Sequence, residues 1–583
     1  MMMTSQLRPF ILFTLILTCS YAVAADRPAP SDDMRLTGFW GAAQARAAGR
    51  MAAPPLDSTD FILADLSLKQ KRRYTEYSGD ISGRWIGAAA FLAPIYPQPF
   101  AAFEKIRSEA TTYQKNDGHF GADQDLPNID HDRDKAILWG NGRLLIGLVE
   151  AYEQTGDEKM LQAAKKLGDY YIAIDPVFNK PEILARKPGG YVVNMETYYL
   201  SGIEGLAALG RVTKDARYLN EGKRIGESAV EIKNFDDIHS HGRLCAVRGF
   251  AELYAACGEL HWLEAAERDW KIFMEKHRLP TGGIKEVLNR QCKRDEGCTI
   301  SDWLRLNLVL WQLSGKGCYL DEAERCLKGH FIYNQYPNGG AGHRVLHLVN
   351  GRTVGFGDTG EEAWWCCSKH WARATADVAR LAVTGGAHGP SINLMVDCAG
   401  SVEGPGGKWK IDQRETEDGL HVSLQSPREI EATLRIHRPS WAREGARLEI
   451  PAGLSLRESE DAWFVDGIWK GKQEIVVHLP TALRREIVTD NLGALLRGHD
   501  LMVAHREPAN AWLMDKLPNQ IPAVQWNKAK PGKNGRVLVP ASLDKNADPN
   551  NPEQWKTLEL APLRAVADMP HDAAWYLFKM LPE

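Results

Sequence analysis

Four segments of the chain repeat one pattern of apolar and polar positions: "AYEQTGDEKMLQAAKKL", "LGRVTKDARYLNEGKRI", "YAACGELHWLEAAERDW" and "WQLSGKGCYLDEAERCL". Aligned on the turn residue at Gly156, Lys214, Gly258 and Gly315, each places an apolar pair four and five positions later: Met160-Leu161, Tyr218-Leu219, Trp262-Leu263 and Tyr319-Leu320. Apolar runs such as "LLIGLVEAY" or "LNLVLWQL" precede the turns, and amphipathic runs with small and charged residues follow them. Two helices joined by a tight turn have this period. The turn anchors lie 58, 44 and 57 residues apart, so the unit is a helical hairpin plus a connector. Such a hairpin buries its apolar face only by stacking on neighbours. Further hairpins fit in residues 60–110 and around 366–385. A closed ring of about six hairpins, an (α/α)6 toroid, fits better than the runner-up, an open solenoid. The Gly-rich connectors "RKPGGYVVNMETYY", "RLPTGGIKEVLNRQCKRDEG" and "NQYPNGGAGHR" predict loops gathered over one mouth of that ring.

Past "TGGAHGP" near residue 385 the period changes to two. Strands are predicted at 420–426, 431–439, 462–467, 473–480, 535–541 and 573–580, separated by Gly, Pro, Asp and Asn. This is the pattern of one antiparallel β-sandwich, or two small ones. The Pro-, Asn- and Lys-rich stretch 517–556 reads as a long surface loop. The expected fold class is multidomain α + β, with an (α/α)6 toroid over 26–385 followed by a β-sandwich region over 386–583. None of the strands carries a chemical constellation, so the chemistry is expected in the helical part.

Composition narrows the setting. The 583 residues are 44% hydrophobic and 25% charged with a formal net charge of −4, an ordinary globular balance that gives no reason to expect nucleic acid or an anionic membrane as partner. Residues 1–25 carry Arg8, the apolar run "FILFTLILT" and "YAVAAD", the plan of a cleaved secretory signal ending near Ala24 or Ala25. No later stretch approaches the ~18 apolar residues of a membrane span. Thr18 is a poor residue before a lipid-attachment Cys19, so the expectation is a periplasmic or secreted chain without a lipid anchor. Beyond Cys19 stand nine cysteines at irregular spacing, an odd number that does not make a full disulfide framework. In an oxidising compartment unpaired thiols need burial or a metal. Adjacent Cys366 and Cys367 are poorly placed to bridge each other, because the resulting ring strains the peptide.

The polar residues of the helical half converge on one set. Glu296 and Cys298 stand two apart just before a helix, and Cys366 and Cys367 follow 68 residues after Cys298. Three thiolates and a carboxylate suit a tetrahedral zinc ion. A Cys292–Cys298 disulfide, or buried structural cysteines, are alternatives that spacing leaves open.

The combination of "TGGI" at 281–284, Glu286, the E-x-C of Glu296 and Cys298, and the Cys366-Cys367 pair resembles glycoside hydrolase family 127, a relative of family 146. "DGHFG" at 117–121, "NGRLLIGLVEAYEQTGD" at 141–157, "LRIHRPSWA" and "AWFVDGIWKGKQEIVVHLP" extend the resemblance over most of residues 60–580. It implies an (α/α)6 barrel with β-sandwich domains, and a zinc-dependent retaining β-L-arabinofuranosidase with a cysteine nucleophile. Cys366 would then be the nucleophile and Glu286 the general acid/base. Zn2+ would be held by Glu296, Cys298, Cys366 and Cys367.

Two positions depart from the family pattern. Where its members carry sugar-contacting histidines, this chain has Arg143 and Cys245. An arginine there would favour an anionic sugar, because a guanidinium pairs bidentately with a carboxylate; a salt bridge on a helix flank is the competing account of Arg143. His119, Trp139, His241 and His370 join Arg143 as candidate substrate contacts, with His239 and His343 as further pocket candidates. Lys369 and Arg373, one turn apart, read as a solvated face. The sequence therefore favours a secreted glycosidase acting on a glycan or oligosaccharide. Two other readings stand beside it: a toroid sugar enzyme without a sulfur nucleophile, such as a uronide hydrolase or lyase, and a carbohydrate-binding scaffold whose catalysis has decayed.

Overall fold

The computed structural model describes residues 28–123, 131–184, 198–489, 491–514, 520–567 and 573–581. The leader read at 1–25 lies outside them, as does most of the 186–199 connector.

Twelve helices of eight residues or more among the described residues build the first part: α1 (Gly38–Met51), α2 (Asp80–Leu92), α3 (Phe103–Ala110), α4 (His131–Thr155), α5 (Glu158–Phe178), α6 (Gly202–Thr213), α7 (Ala216–Val230), α8 (Ser240–Cys257), α9 (Leu260–Lys276), α10 (Gly297–Ser314), α11 (Gly317–Cys326) and α12 (Cys367–Ala382). Helices α2, α4, α6, α8, α10 and α12 each pack on the next, and α12 packs back on α2, so the inner ring closes. The other six lie outside, each against an inner helix. This is the (α/α)6 toroid expected from the repeat.

The turn residues that anchor the repeat end α4, α6, α8 and α10 in the left-handed region: Gly156 (φ 69°), Lys214 (φ 58°), Gly258 (φ 73°) and Gly315 (φ 72°). A left-handed residue there stops the helix and reverses the chain. Asp157 and Asp215 then cap the outer helices by accepting from the Lys159 and Arg217 amides. The inner helices are mostly buried, and every residue of α2 is. Their closeness depends on glycine, since a Cβ on Gly83 would lie 2.5 Å from Leu144 Cα. The same enclosure corrects the solvated face read at Lys369 and Arg373. Both are buried on α12: Arg373 pairs with Glu150 and Asp377, and the Lys369 ammonium donates to the Trp364 carbonyl.

In the tail, a six-stranded sheet that includes Gly407–Thr416, Gly419–Gln425 and Lys472–His478 faces a five-stranded sheet that includes Ile430–His437 and Ala462–Trp469. Trp409 of one meets Trp469 of the other at 5.7 Å between ring centroids. A third, eleven-stranded sheet follows. It takes in two strands that do not belong to the tail: β1 (Gly342–Val349) and β2 (Arg352–Glu362), a hairpin inserted between α11 and α12. Strand β2 pairs with Ala574–Trp575 near the end of the chain. The connector "NQYPNGGAGHR" thus leads into a strand rather than staying a loop. Residues 517–556 are likewise not one surface loop, because Ala523–Val524 and Lys530–Pro531 add strands there beside Val537–Ser542.

Candidate active site

Helices α2, α8, α10 and α12 all begin at one end of the ring, and their first residues bring the chemistry together. Cys298 is the second residue of α10, Cys367 the first of α12, and Cys366 the residue that caps α12. Two helix N-termini therefore point their partial positive charge at three sulfurs, an arrangement that favours thiolates. Glu296 caps α10. One ligand atom from each of Glu296, Cys298, Cys366 and Cys367 lies within 4.8 Å of all the others. The Cys298 and Cys367 sulfurs are 3.7 Å apart, and those of Cys366 and Cys367 3.4 Å apart. All nine described cysteines are free, so the Cys292–Cys298 disulfide does not form; the Cys292 thiol instead donates to the Arg294 carbonyl.

The donor set fits zinc. Sulfur ligands about 2.3 Å from a tetrahedral ion stand about 3.8 Å from one another, close to the spacings found. Proton sharing within the cluster is uneven. Hydrogen bonds from Cys298 and Cys367 draw the Cys366 thiol well below its ordinary pKa, whereas burial pushes Cys298 and Cys367 up. Burial opposes ionisation of Glu296, yet the imidazole of His239, 3.1 Å from its carboxylate, holds that carboxyl below the ordinary range.

Next to the cluster opens a cavity of about 130 Å³. Of the three sulfurs only Cys366 lines it; Cys298 and Cys367 are fully buried. Glu286 lines it too, gripped by both nitrogens of the Arg294 fork. Tyr74, Tyr77, Trp139, Tyr198 and Trp365 supply aromatic walls, and Glu296 and Arg294 join Arg73, Asp80, Arg84, His239, His241, His343 and Glu361 as the remaining polar lining.

Of the candidate substrate contacts, Trp139 and His241 reach the cavity, as do His239 and His343. Trp139 donates its indole N–H to Asp80 at 2.9 Å. The other three are corrections. Both ring nitrogens of His119 are engaged by Asp117 and the Ala122 carbonyl, away from the cavity. His370 stands behind His241, bonded to Asp302 at 2.6 Å. Arg143 is 2% exposed, donates to the Ser201 carbonyl at 3.0 Å and faces Glu204 at 3.6 Å, so it is not available to a sugar carboxylate. Cys245 lies beneath Trp139, with its sulfur 3.6 Å from His241 Nδ1.

Three arginines line the cavity, Arg73, Arg84 and Arg294, and the one that reaches the sulfurs is Arg84, which the sequence reading passed over. It pairs with Asp80 at 2.8 Å, donates to His241 Nε2 at 2.9 Å and to the Cys298 sulfur at 3.4 Å. Arg84 only donates, so in the neutral His241 ring Nε2 accepts from it and the Nδ1–H points to the Asp302 carboxylate. The Asp80–Arg84 spacing of one helical turn was the available signal, but such pairs are common on exposed helix faces.

The sequence model of the "Beta-L-arabinofuranosidase, GH127 catalytic domain" matches residues 36–380. No curated protein sequence matches the chain. Among solved structures, a GH127 β-L-arabinofuranosidase from Geobacillus stearothermophilus T6 superposes with a TM-score of 0.70 at 15% identity, covering 94% of this chain and 100% of that one. The GH127 β-arabinofuranosidase BT3674 superposes with a TM-score of 0.69 at 16% identity, covering 95% of this chain and 98% of that one.

Proposed function

As a member of the GH127 β-L-arabinofuranosidase family the chain is a glycoside hydrolase, and we propose that it is a zinc-dependent retaining enzyme with Cys366 as nucleophile. The observation that carries this reading is the four-residue cluster in which Cys366 alone among the sulfurs faces the cavity. Glu296, Cys298, Cys366 and Cys367 would hold the zinc ion, which keeps sulfur ionised at neutral pH and shielded from oxidation.

The chain's own groups then do the following. The Cys366 sulfur attacks the anomeric carbon while the bond from that carbon to the leaving oxygen breaks. Glu286, protonated and so released from one arm of the Arg294 fork, gives its proton to that oxygen. A thioglycosyl bond results. The Glu286 carboxylate next takes a proton from water, whose oxygen displaces the sulfur and regenerates the Cys366 thiolate. Two displacements at one carbon give net retention. Trp139, Tyr77 and Tyr198 offer apolar faces for the sugar ring. Each cavity guanidinium already faces a carboxylate: Arg73 with Glu361, Arg84 with Asp80, Arg294 with Glu286. That pairing supports a neutral L-arabinofuranoside over an acidic sugar.

The test is mass spectrometry of protein quenched during turnover of an aryl β-L-arabinofuranoside. A pentosyl adduct on the peptide carrying Cys366 is expected, absent in Cys366→Ser, which should also be inactive. An active Cys366→Ser variant without adduct would overturn the proposal. The leader read at 1–25 supports export to the periplasm or beyond; an exported chain that keeps Met1 would argue against cleavage near Ala24 or Ala25.

A further inference from the structure

Resting on the reading of Glu286 as acid/base, we infer that His330 is a positioning residue that sets where Glu286 stands. His330 lies in a π-helical turn, Leu327–Phe331, that continues α11, and it is fully buried outside the cavity lining. Isolated π turns are uncommon and concentrate near functional sites. The His330 Nε2 is 2.7 Å from Asp295 Oδ2, and its Nδ1 is 2.7 Å from the Thr281 hydroxyl. The Asp295 carboxylate also accepts from Asn334 Nδ2 at 3.3 Å and from the Arg344 amide. A carboxylate with those neighbours accepts, so Nε2 carries the proton and Nδ1 accepts from Thr281. One tautomer satisfies both ends.

The two ends belong to the two segments that carry the site's carboxylates. Thr281 opens the "TGGI" turn, which runs through Ile284 and Lys285 to Glu286. Asp295 immediately precedes Glu296. The segments pair where Lys285 bridges Asp295 and the Glu286 amide donates to the Arg294 carbonyl at 3.1 Å. The His330 amide also donates to the Thr281 carbonyl at 2.9 Å. The glycines of the motif let these parts touch. A Cβ on Gly283 would fall 2.0 Å from His330 Nδ1, and one on Gly329 2.3 Å from the Thr281 carbonyl oxygen.

Glu296 has anchors of its own, in the Thr299 hydroxyl at 3.0 Å and His239 at 3.1 Å. The Glu286 side chain has Arg294, whose side chain is 44% exposed. The Glu286 carbonyl also accepts from the Ser240 amide at 2.9 Å. Loss of His330 therefore loosens the Thr281 end of this segment rather than the whole of it, while the four-ligand cluster keeps its own contacts.

The experiment compares wild type, His330→Gln, Thr281→Val and Glu286→Gln on aryl and alkyl β-L-arabinofuranosides of graded leaving-group acidity, with zinc content measured on each. A displaced acid is felt where the leaving oxygen needs a proton. His330→Gln should lower kcat/KM by about 10²-fold for poor leaving groups and only a few-fold for activated aryl ones. Its zinc content should match wild type. Thr281→Val keeps the shape of the turn, so it should show the same pattern more weakly and carries the test should His330→Gln not fold. An equal loss on every substrate, or loss of zinc, would overturn the inference. A Glu286→Gln enzyme with unchanged leaving-group dependence would instead remove the acid/base reading itself.

Discussion

The sulfurs of Cys298 and Cys367 come from residues 69 apart, on the first turns of two adjacent inner helices, and stand 3.7 Å from each other. That separation is about one edge of a zinc–thiolate tetrahedron. It exists only because the ring closes with α10 beside α12.

Metal removal should therefore loosen the mouth of the barrel. Dialysis against a chelator under reducing conditions is expected to lower the melting temperature and abolish activity, both restored by stoichiometric zinc, because a ligand bound only by the folded state adds stability. Metal analysis should find about one zinc per chain, much reduced in Cys298→Ala and Cys367→Ala. Protein with no zinc when purified reduced and unchelated would be incompatible with the site.

Arg84 binds the cluster through the Cys298 sulfur at 3.4 Å while Asp80 and His241 hold its other nitrogens. Arg84→Gln should cost roughly 10- to 100-fold in activity or metal affinity, the range for residues that orient ligands. In cobalt-substituted protein the sulfur-to-metal charge-transfer bands should shift, since a donor to one ligand sulfur is lost. Unchanged bands would mean that Arg84 does not act on the sulfur.

Gly283→Ala should destabilise the protein by about 1–3 kcal/mol, the usual cost of overpacking. The new methyl must displace the His330 ring, which lies 2.0 Å from the Cβ position and is itself tied at both nitrogens. Denaturant titration checks this; wild-type stability would show that the turn yields freely.

His277, at the end of α9, is held in its neutral form by burial, with its pKa lowered to about 4. Between that value and an unfolded value near 6.5 the unfolded chain takes up a proton that the folded one refuses. Stability is therefore lost as pH falls through this window and is unaffected by this group above it. His277→Phe should flatten the melting temperature against pH between about 6.5 and 4, and at pH 4.5 be the more stable of the two relative to their difference at pH 7. Parallel curves would exclude His277 as a source of acid lability.

The helical repeat was legible along the chain because it is local. A left-handed turn residue at Gly156, Lys214, Gly258 and Gly315 and the apolar pair after it follow from backbone sterics and helical period. The candidate donor set is legible because few residue types suit zinc, and Glu296, Cys298, Cys366 and Cys367 are among them. Helical period could not say which end of a helix meets the mouth, so His119 and His370 read as well as His241, although only His241 reaches the cavity. Nor does charge reveal burial. Lys369 and Arg373 look like surface residues in one dimension and Arg143 like a sugar contact, but ring closure encloses their helices and pairs both arginines with acids, which is the salt-bridge account of Arg143. The β1–β2 hairpin and the His330 link join residues distant in sequence, and such contacts exist only once neighbours are assigned. The hairpin unit and the candidate donor set of one carboxylate and three thiols can be read along the chain, because both rest on local period and residue type. Tertiary packing decided which sulfur faces the cavity and which cation faces the sulfurs, because both depend on how six inner helices pack side by side.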